Sequence, residues 1–201
     1  LVKDAAAATE LPLVVTGCKN IEKDAALFAA VAEALPTSNI LFLSAREENY
    51  KTIGAACSLA YGHKMGAESA VDINLAKQLN VLTTQLGVVP TNMVMNLGSA
   101  AAGYGFEYVS STMDRVKSAA LEQNDNMLQM PVITPVSAET WSVKESIMSE
   151  ADAPEWGSRE ERGIEMEIVT AAACLASGSN AVILRHPRSV KTIAAMIAAL
   201  K

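Results

Sequence analysis

Side chains that could hold a ligand recur wherever a strand-length apolar run ends in this 201-residue chain. Thr16, Gly17, Cys18 and Asn20 follow the first run, and Ser44, Arg46, Glu47 and Asn49 the second. Ser69, Asp72 and Asn74 follow the third, and Asn96, Gly98 and Ser99 the fourth. Thr134, Ser137, Thr140 and Trp141 follow the fifth, and Arg185 and His186 the sixth. An Asn therefore stands at four successive ends. Its amide donates and accepts, which suits a ligand rich in amides or a heterocycle, but it transfers no proton near neutral pH. The same residue types cap helices, and Asp72 heading "DINLAKQLN" reads as such a cap.

Candidates for proton transfer are Glu68, Asp72, Glu107, His63 and His186. His186 precedes Pro187, a pair that starts a helix after a strand end, whereas His63 precedes its strand and falls on the opposite side of the sheet. No Ser/His/Asp or Cys/His set is close in sequence, so no catalytic residue is assigned. The cysteines, Cys18, Cys57 and Cys174, are far apart and odd in number. They read as free thiols in a reducing compartment and form no Cys-x-x-Cys cluster, so neither a metal site nor an iron–sulfur cluster is expected in this chain.

The stretch "NLGSAAAGYGFEY" from Asn96 to Tyr108 carries permissive glycines at 98, 103 and 105 and otherwise little side chain before Tyr104. Gly98 to Gly103 has the spacing of a phosphate-binding loop. Tyr104 and Gly105 nevertheless occupy the places where such a loop needs Lys and Ser/Thr. So much bare backbone predicts either a plain connection or a surface that another molecule approaches closely.

The elements that position these residues alternate. "LPLVV", "NILFL", "HKMGAE", "NMVMN", "PVITP" and "NAVILR" read as short buried strands, separated by segments of helical periodicity. Phe28, Val31 and Leu35 mark one buried helical face; Leu75, Leu79, Leu82 and Leu86 mark another; Ile164, Ile168, Ala171 and Leu175 mark a third. The pattern predicts an α/β fold of parallel strands with right-handed crossovers. Only Gly17 follows the first strand, so a dinucleotide-binding open sheet is disfavoured. Six units instead fit part of a TIM (β/α)8-type barrel, which needs about 250 residues when complete. "LVKDAAAATELP" opens without Met in a helix-like pattern, so residues 1–201 are expected to form a single partial TIM-barrel domain, N-terminally incomplete. The longest interruption, Ala138 to Glu161, reads as a long charged loop.

A net charge of −6, scattered Lys and Arg and 4% aromatic residues offer neither a phosphate-tracking stripe nor a base-stacking platform, so no nucleic-acid partner is expected. No run approaches the roughly 20 apolar residues that span a bilayer, which predicts a cytoplasmic protein without a membrane partner.

Seven segments, "PLVVTGCKNIEKD", "REENYKTI", "VDINLAKQLN", "GYGFEYVSSTMDRVKSAAL", "MLQMPVITPVSAETWSVKES", "PEWGSREERG" and "RHP", resemble in order and separation the small (delta) subunit of the corrinoid iron–sulfur protein in the acetyl-CoA decarbonylase/synthase system. The resemblance implies a TIM barrel paired with a large (gamma) subunit that carries the [4Fe-4S] cluster and much of the corrinoid (cobalamin) site. It also implies methyl delivery from methyl-tetrahydropterin towards acetyl-CoA synthase, with methyltransferase and acetyl-CoA synthase subunits as further partners. The small subunit would then be an accessory, cofactor-enclosing chain. On this reading Asn74, Asn96, Gly98, Gly103 and Gly105 are the expected contacts to the corrinoid or the large subunit. The alternative is a pterin-dependent methyltransferase barrel acting by itself, with Asn74 and Asn96 on the heterocycle and Glu68 or Asp72 assisting protonation.

Overall fold

The structure is a computed structural model that describes residues 1–200. Each apolar run yields a strand: β1 Val14–Thr16, β2 Leu41–Ala45, β3 Lys64–Glu68, β4 Met93–Asn96, β5 Ile133–Thr134 and β6 Ala181–Val182. The helices are α1 Val2–Ala7, α2 Ile21–Ala34, α3 Tyr50–Ile53 with a π turn at Gly54–Leu59, α4 Ile73–Gln85 and α5 Phe106–Leu121. They continue with α6 Val136–Thr140, α7 Lys144–Ile147, α8 Arg159–Ala176 and α9 Pro187–Ala199.

Strands β1 to β4 form one parallel sheet in chain order, and β5 pairs in parallel with β6. A parallel bridge between Met95 and Val132, with the Met95 N–H donating to the Pro131 carbonyl at 2.8 Å, joins the two. Spatial order therefore follows chain order across all six strands. The reversal that defines an open doubly wound sheet is absent among the described residues, as the missing glycine fingerprint suggested.

Local chemistry sets the helix starts. The Asn20 side chain accepts from the Lys23 N–H to open α2, Asp72 accepts from the Asn74 and Leu75 N–H groups to open α4, and His186 accepts from the Arg188 N–H to open α9. Gly105 begins α5 at φ +89°, a left-handed conformation that favours glycine. The periodic apolar faces then bury as their spacing requires, with Phe28, Leu79, Ile164 and Ala171 fully enclosed.

The core has two parts. The larger packs Phe28, Phe42, Ile40, Met65, Met93, Met95 and Leu97 between α2 to α5 and strands β2 to β4. The smaller holds Val136, Ala171, Cys174 and Ile193 beside β6, and Phe106 touches both. The segment 138–161, expected as a loop, instead folds into α6, α7 and a 3-10 turn at Pro154–Trp156. Its many charges face solvent, while Thr140, Ser146 and Ala153 are buried beneath them. Arg159 Nε donates to the Ser146 carbonyl and an Arg162 Nη to the Met148 carbonyl, so side chains of α8 satisfy backbone that no sheet or long helix could.

Candidate functional site

Parallel strands in chain order bring all their carboxyl ends to one face, and a cavity of about 180 Å³ opens there. It draws Thr16, Gly17 and Lys19 from the end of β1, Ser44 and Arg46 from β2, Glu68 from β3 and Asn96 from β4. Pro135, Ser137 and Ile183 complete it from the ends of β5 and β6. Asp24, one turn into α2, closes the floor beneath Gly17.

The polar groups at this mouth are tied to one another. Arg46 Nη2 donates to Glu68 Oε1 at 2.8 Å, a half-buried ion pair. Asn96 Nδ2 donates to Ser44 Oγ at 2.8 Å and lies 3.5 Å from Glu68 Oε2. Asn96 Oδ1 accepts from the Gly98 N–H at 3.1 Å, so the amide is engaged at both ends. The buried Asp24 carboxylate accepts from the Cys18 N–H at 2.7 Å and leaves no room for a Cβ at Gly17. Lys19 reaches across the opening to Glu139 at 3.3 Å. Three non-glycine residues around the mouth, Lys19, Ala70 and Val71, hold positive φ; for the β-branched Val71 at +65° this is a sterically costly conformation. The Val71 N–H donates to the Leu97 carbonyl, and its own carbonyl accepts from Thr112 Oγ1, which holds the strained turn in place.

A second cleft of about 210 Å³ continues from the mouth along Glu68, Val71, Asn96, Gly98, Ser99 and Glu139. Ser99 Oγ is enclosed there without a hydrogen-bond partner. Beyond it the loop rises through Ala101, which is buried, to Gly103 at φ +84°, where an added Cβ would meet no atom within 4 Å beyond its own chain neighbours.

The expected site residues therefore divide. Asn96 and Gly98 meet at the mouth. Gly103 and Gly105 lie farther out on the same face, and Asn74 stands exposed in the first turn of α4, outside the cavity lining. His63 is fully buried at the other end of the sheet, where its Nδ1 accepts from the Ile40 N–H at 3.2 Å; burial holds its pKa below the ordinary value. His186 caps α9 and stacks on Trp141, outside the mouth. Lys19, Asp24 and Glu167 were not among the candidates. Asp24 and Glu167 each interrupt an otherwise apolar helical stripe, four residues before Phe28 and three after Ile164, and that break in the stripe was the available signal. Glu167, fully buried, accepts from the Arg185 and His186 N–H groups at 2.6 and 3.1 Å, fixing the turn after β6.

Residues 1–186 match the family described as CO dehydrogenase/acetyl-CoA synthase delta subunit. The chain belongs to that family. Relatives include acetyl-CoA decarbonylase/synthase complex subunit delta 2 of Methanosarcina acetivorans, 31% identical over 199 residues, and subunit delta of Methanocaldococcus jannaschii, 32% identical over 194. Each alignment takes in 96% of this chain, which spans somewhat less than half of those relatives, 44% and 46% of their lengths. Among solved structures, a dihydropteroate synthase of Xanthomonas albilineans in complex with indole-2-carboxylic acid and 6-chloroguanine superposes with a TM-score of 0.59 at 12% identity. The superposition covers 99% of this chain and 68% of that one, and it shows a shared fold.

The mouth of this delta-family chain sets a limit on what it can hold. At about 180 Å³ the cavity is smaller than the roughly 300–1,000 Å³ of sites that engulf a small organic ligand. A corrinoid does not fit inside it. Around it lie open backbone at Gly103 and a half-buried polar rim. Among the described residues no three His, Cys, Asp or Glu side chains gather as a metal site, and no helix is long and apolar enough to cross a membrane.

Proposed function

We propose that this chain acts as the small subunit of a corrinoid iron–sulfur protein, with its strand-end face covering a corrinoid carried largely by the cluster-bearing large subunit. The observation that carries this reading is the cross-linked mouth. Arg46 is bonded to Glu68, and Asn96 to Ser44 and the Gly98 N–H, which fixes these side chains in place as a preorganised wall does. The two amides expected to grip a pterin do not offer free edges to the cavity, since Asn96 is engaged at both ends and Asn74 lies outside the lining, so the stand-alone methyltransferase reading is the weaker one. The corrinoid, when bound, supplies cobalt as the methyl carrier; the residues of this chain exclude water and position the face. Ser99 offers an enclosed hydroxyl, and Gly98 and Gly103 offer approachable backbone, to a group pressed against the cleft.

The sheet is proposed to be a barrel segment completed by further βα units. β1 and β6 each pair on one side alone among the described residues, and Val14 beside one edge and Val190, Met196 and Ile197 beside the other are exposed apolar groups. The companion partners are the large (gamma) subunit and, through it, methyltransferase and acetyl-CoA synthase subunits. Compartment follows from that assembly as cytoplasmic. Co-expression of the full-length polypeptide with a large subunit tests the function: a stoichiometric complex with corrinoid absorbance supports it. Turnover of methyl-tetrahydropterin with free cobalamin by the polypeptide alone would replace it with the methyltransferase reading.

A further inference from the structure

Two clefts lie on either side of Tyr104. One, of about 510 Å³, runs on the strand-end face between Ser99, Ala101 and the α6 to α7 segment at Glu139, Val143 and Ile147. The other, of about 580 Å³, runs outward along α5 between Val71, Tyr108 and Arg115. Ala100 and Tyr104 line both, so they are the partition.

That partition is built unevenly. Ala101 is buried, and the Ala102 N–H donates to Thr170 Oγ1 at 3.0 Å, which pins the near side of the loop to α8. Gly103 and Gly105 then flank Tyr104 at φ +84° and +89°, and both would otherwise be costly positions for a side-chain-bearing residue. Beyond its own turn, where its N–H donates to the Ala101 carbonyl, Tyr104 is tethered through its hydroxyl, which donates to Glu145 Oε2 at 2.6 Å beside the Lys144 backbone. Glu145 stands on a fixed post. Its neighbour Ser146 is buried and donates to the Thr140 carbonyl, while Arg159 and Arg162 hold the backbone of Ser146 and Met148. The carboxylate of Glu145 is held below its ordinary pKa first by this hydroxyl, and the phenol of Tyr104 is correspondingly raised. An acceptor on a segment whose neighbouring backbone is tied down and a half-exposed ring between two permissive residues are the parts of a latch.

We propose that Tyr104 is a hinged gate, swinging on Gly103 and Gly105 and latched by Glu145, which separates the strand-end cleft from the cleft along α5 and joins them when released. Released, it opens a continuous path from the cavity mouth to the outer surface of α5. Its use for admitting or retaining a group at that face rests on the function proposed above; the gate itself does not.

Hydrogen exchange and thiol labelling on the full-length polypeptide, without partner or corrinoid, test it. Tyr104→Phe removes the latch and keeps the ring. Exchange of the Tyr104 N–H, which donates to the Ala101 carbonyl, should quicken roughly three- to ten-fold, the loss expected from one such hydrogen bond, with the thermal midpoint unchanged. Glu145→Gln retains an acceptor and should lie between the two. With Cys18→Ser removing the exposed native thiol, an Ala100→Cys probe should be alkylated faster by a similar factor when Tyr104→Phe is added. Equal exchange and equal labelling with and without the hydroxyl would overturn the gate, whatever the outcome of co-expression with the large subunit.

Discussion

The region from β1 to β4 and the region from β5 to β6 solve the same structural problem by different chemistry. The first is a continuous four-stranded sheet whose interior is large and apolar, with Phe28, Phe42, Met65, Met93 and Met95 fully buried. The second has strands of two residues each and only a small apolar cluster. It is held mainly by polar ties instead. Asn180 Oδ1 accepts from the Val132 N–H at 2.9 Å, Thr134 and Ser179 share a hydrogen bond of 2.7 Å, and Glu167 clasps the turn after β6. Apolar packing resists loss in proportion to volume, whereas a buried polar clasp fails all at once when one partner goes. The two regions should therefore break differently.

Phe42→Ala should give the largest effect, a loss of about 3–5 kcal/mol, because it empties the middle of the first core. Chemical denaturation should show the whole transition moving. Glu167→Ala should cost about 1–3 kcal/mol by leaving two N–H groups unsatisfied. The loss should be confined to β6 and α9. Two native thiols distinguish the cases: Cys57 is enclosed in the first core and Cys174 in the second. With Glu167→Ala, alkylation of Cys174 should accelerate while that of Cys57 does not; equal acceleration would mean the two regions open as one.

The same thiols give a pH signature. Burial pushes Cys57 up to about 12 and Cys174 up to about 11, from an ordinary value of 9.0. The folded state therefore keeps protons that the unfolded chain releases. That contribution is complete below pH 9 and disappears as pH rises towards 11 and 12, so stability should fall across that alkaline window. Cys57→Ser and Cys174→Ser should flatten the fall.

At the strand-end face effects are smaller. Gly103→Ala should cost about 1–2 kcal/mol through its positive φ alone, so a bulky replacement there cannot by itself distinguish a contact from a turn. Gly103→Asn, which tolerates that conformation, should leave the thermal midpoint closer to the parent's and is the cleaner probe. Lys19→Ala, which removes one arm of an exposed ion pair, should change stability by about 0–1 kcal/mol.

Much of this was legible in the sequence, for reasons that differ by region. Runs such as "NILFL" and the caps Asn20 and Asp72 announce themselves because a single local signal decides them. The order of the strands follows from alternation with helices. The fold of residues 138–161 was not legible, since α7 is held by Arg159 and Arg162, 13 and 14 residues from the carbonyls they satisfy, and α6 by the Ser137 N–H donating to the Ile183 carbonyl. At the site, Asn96 and Gly98 are strand-end residues joined by a local bond, but the links from Asn96 to Ser44 and Glu68 depend on the neighbouring strands. Asn74 shows the limit of the same rule: a polar residue just past a strand end can turn outward once the helix begins.

We propose that the strand-end face meets a corrinoid-bearing large subunit. Hydrogen exchange of the full-length polypeptide, alone and in complex with a large subunit, tests it most directly. Slowed exchange concentrated at residues 16–20, 96–105 and 137–147, with the His63 end of the sheet unchanged, is the expected result; protection at the His63 end with the strand-end loops unaltered would contradict it.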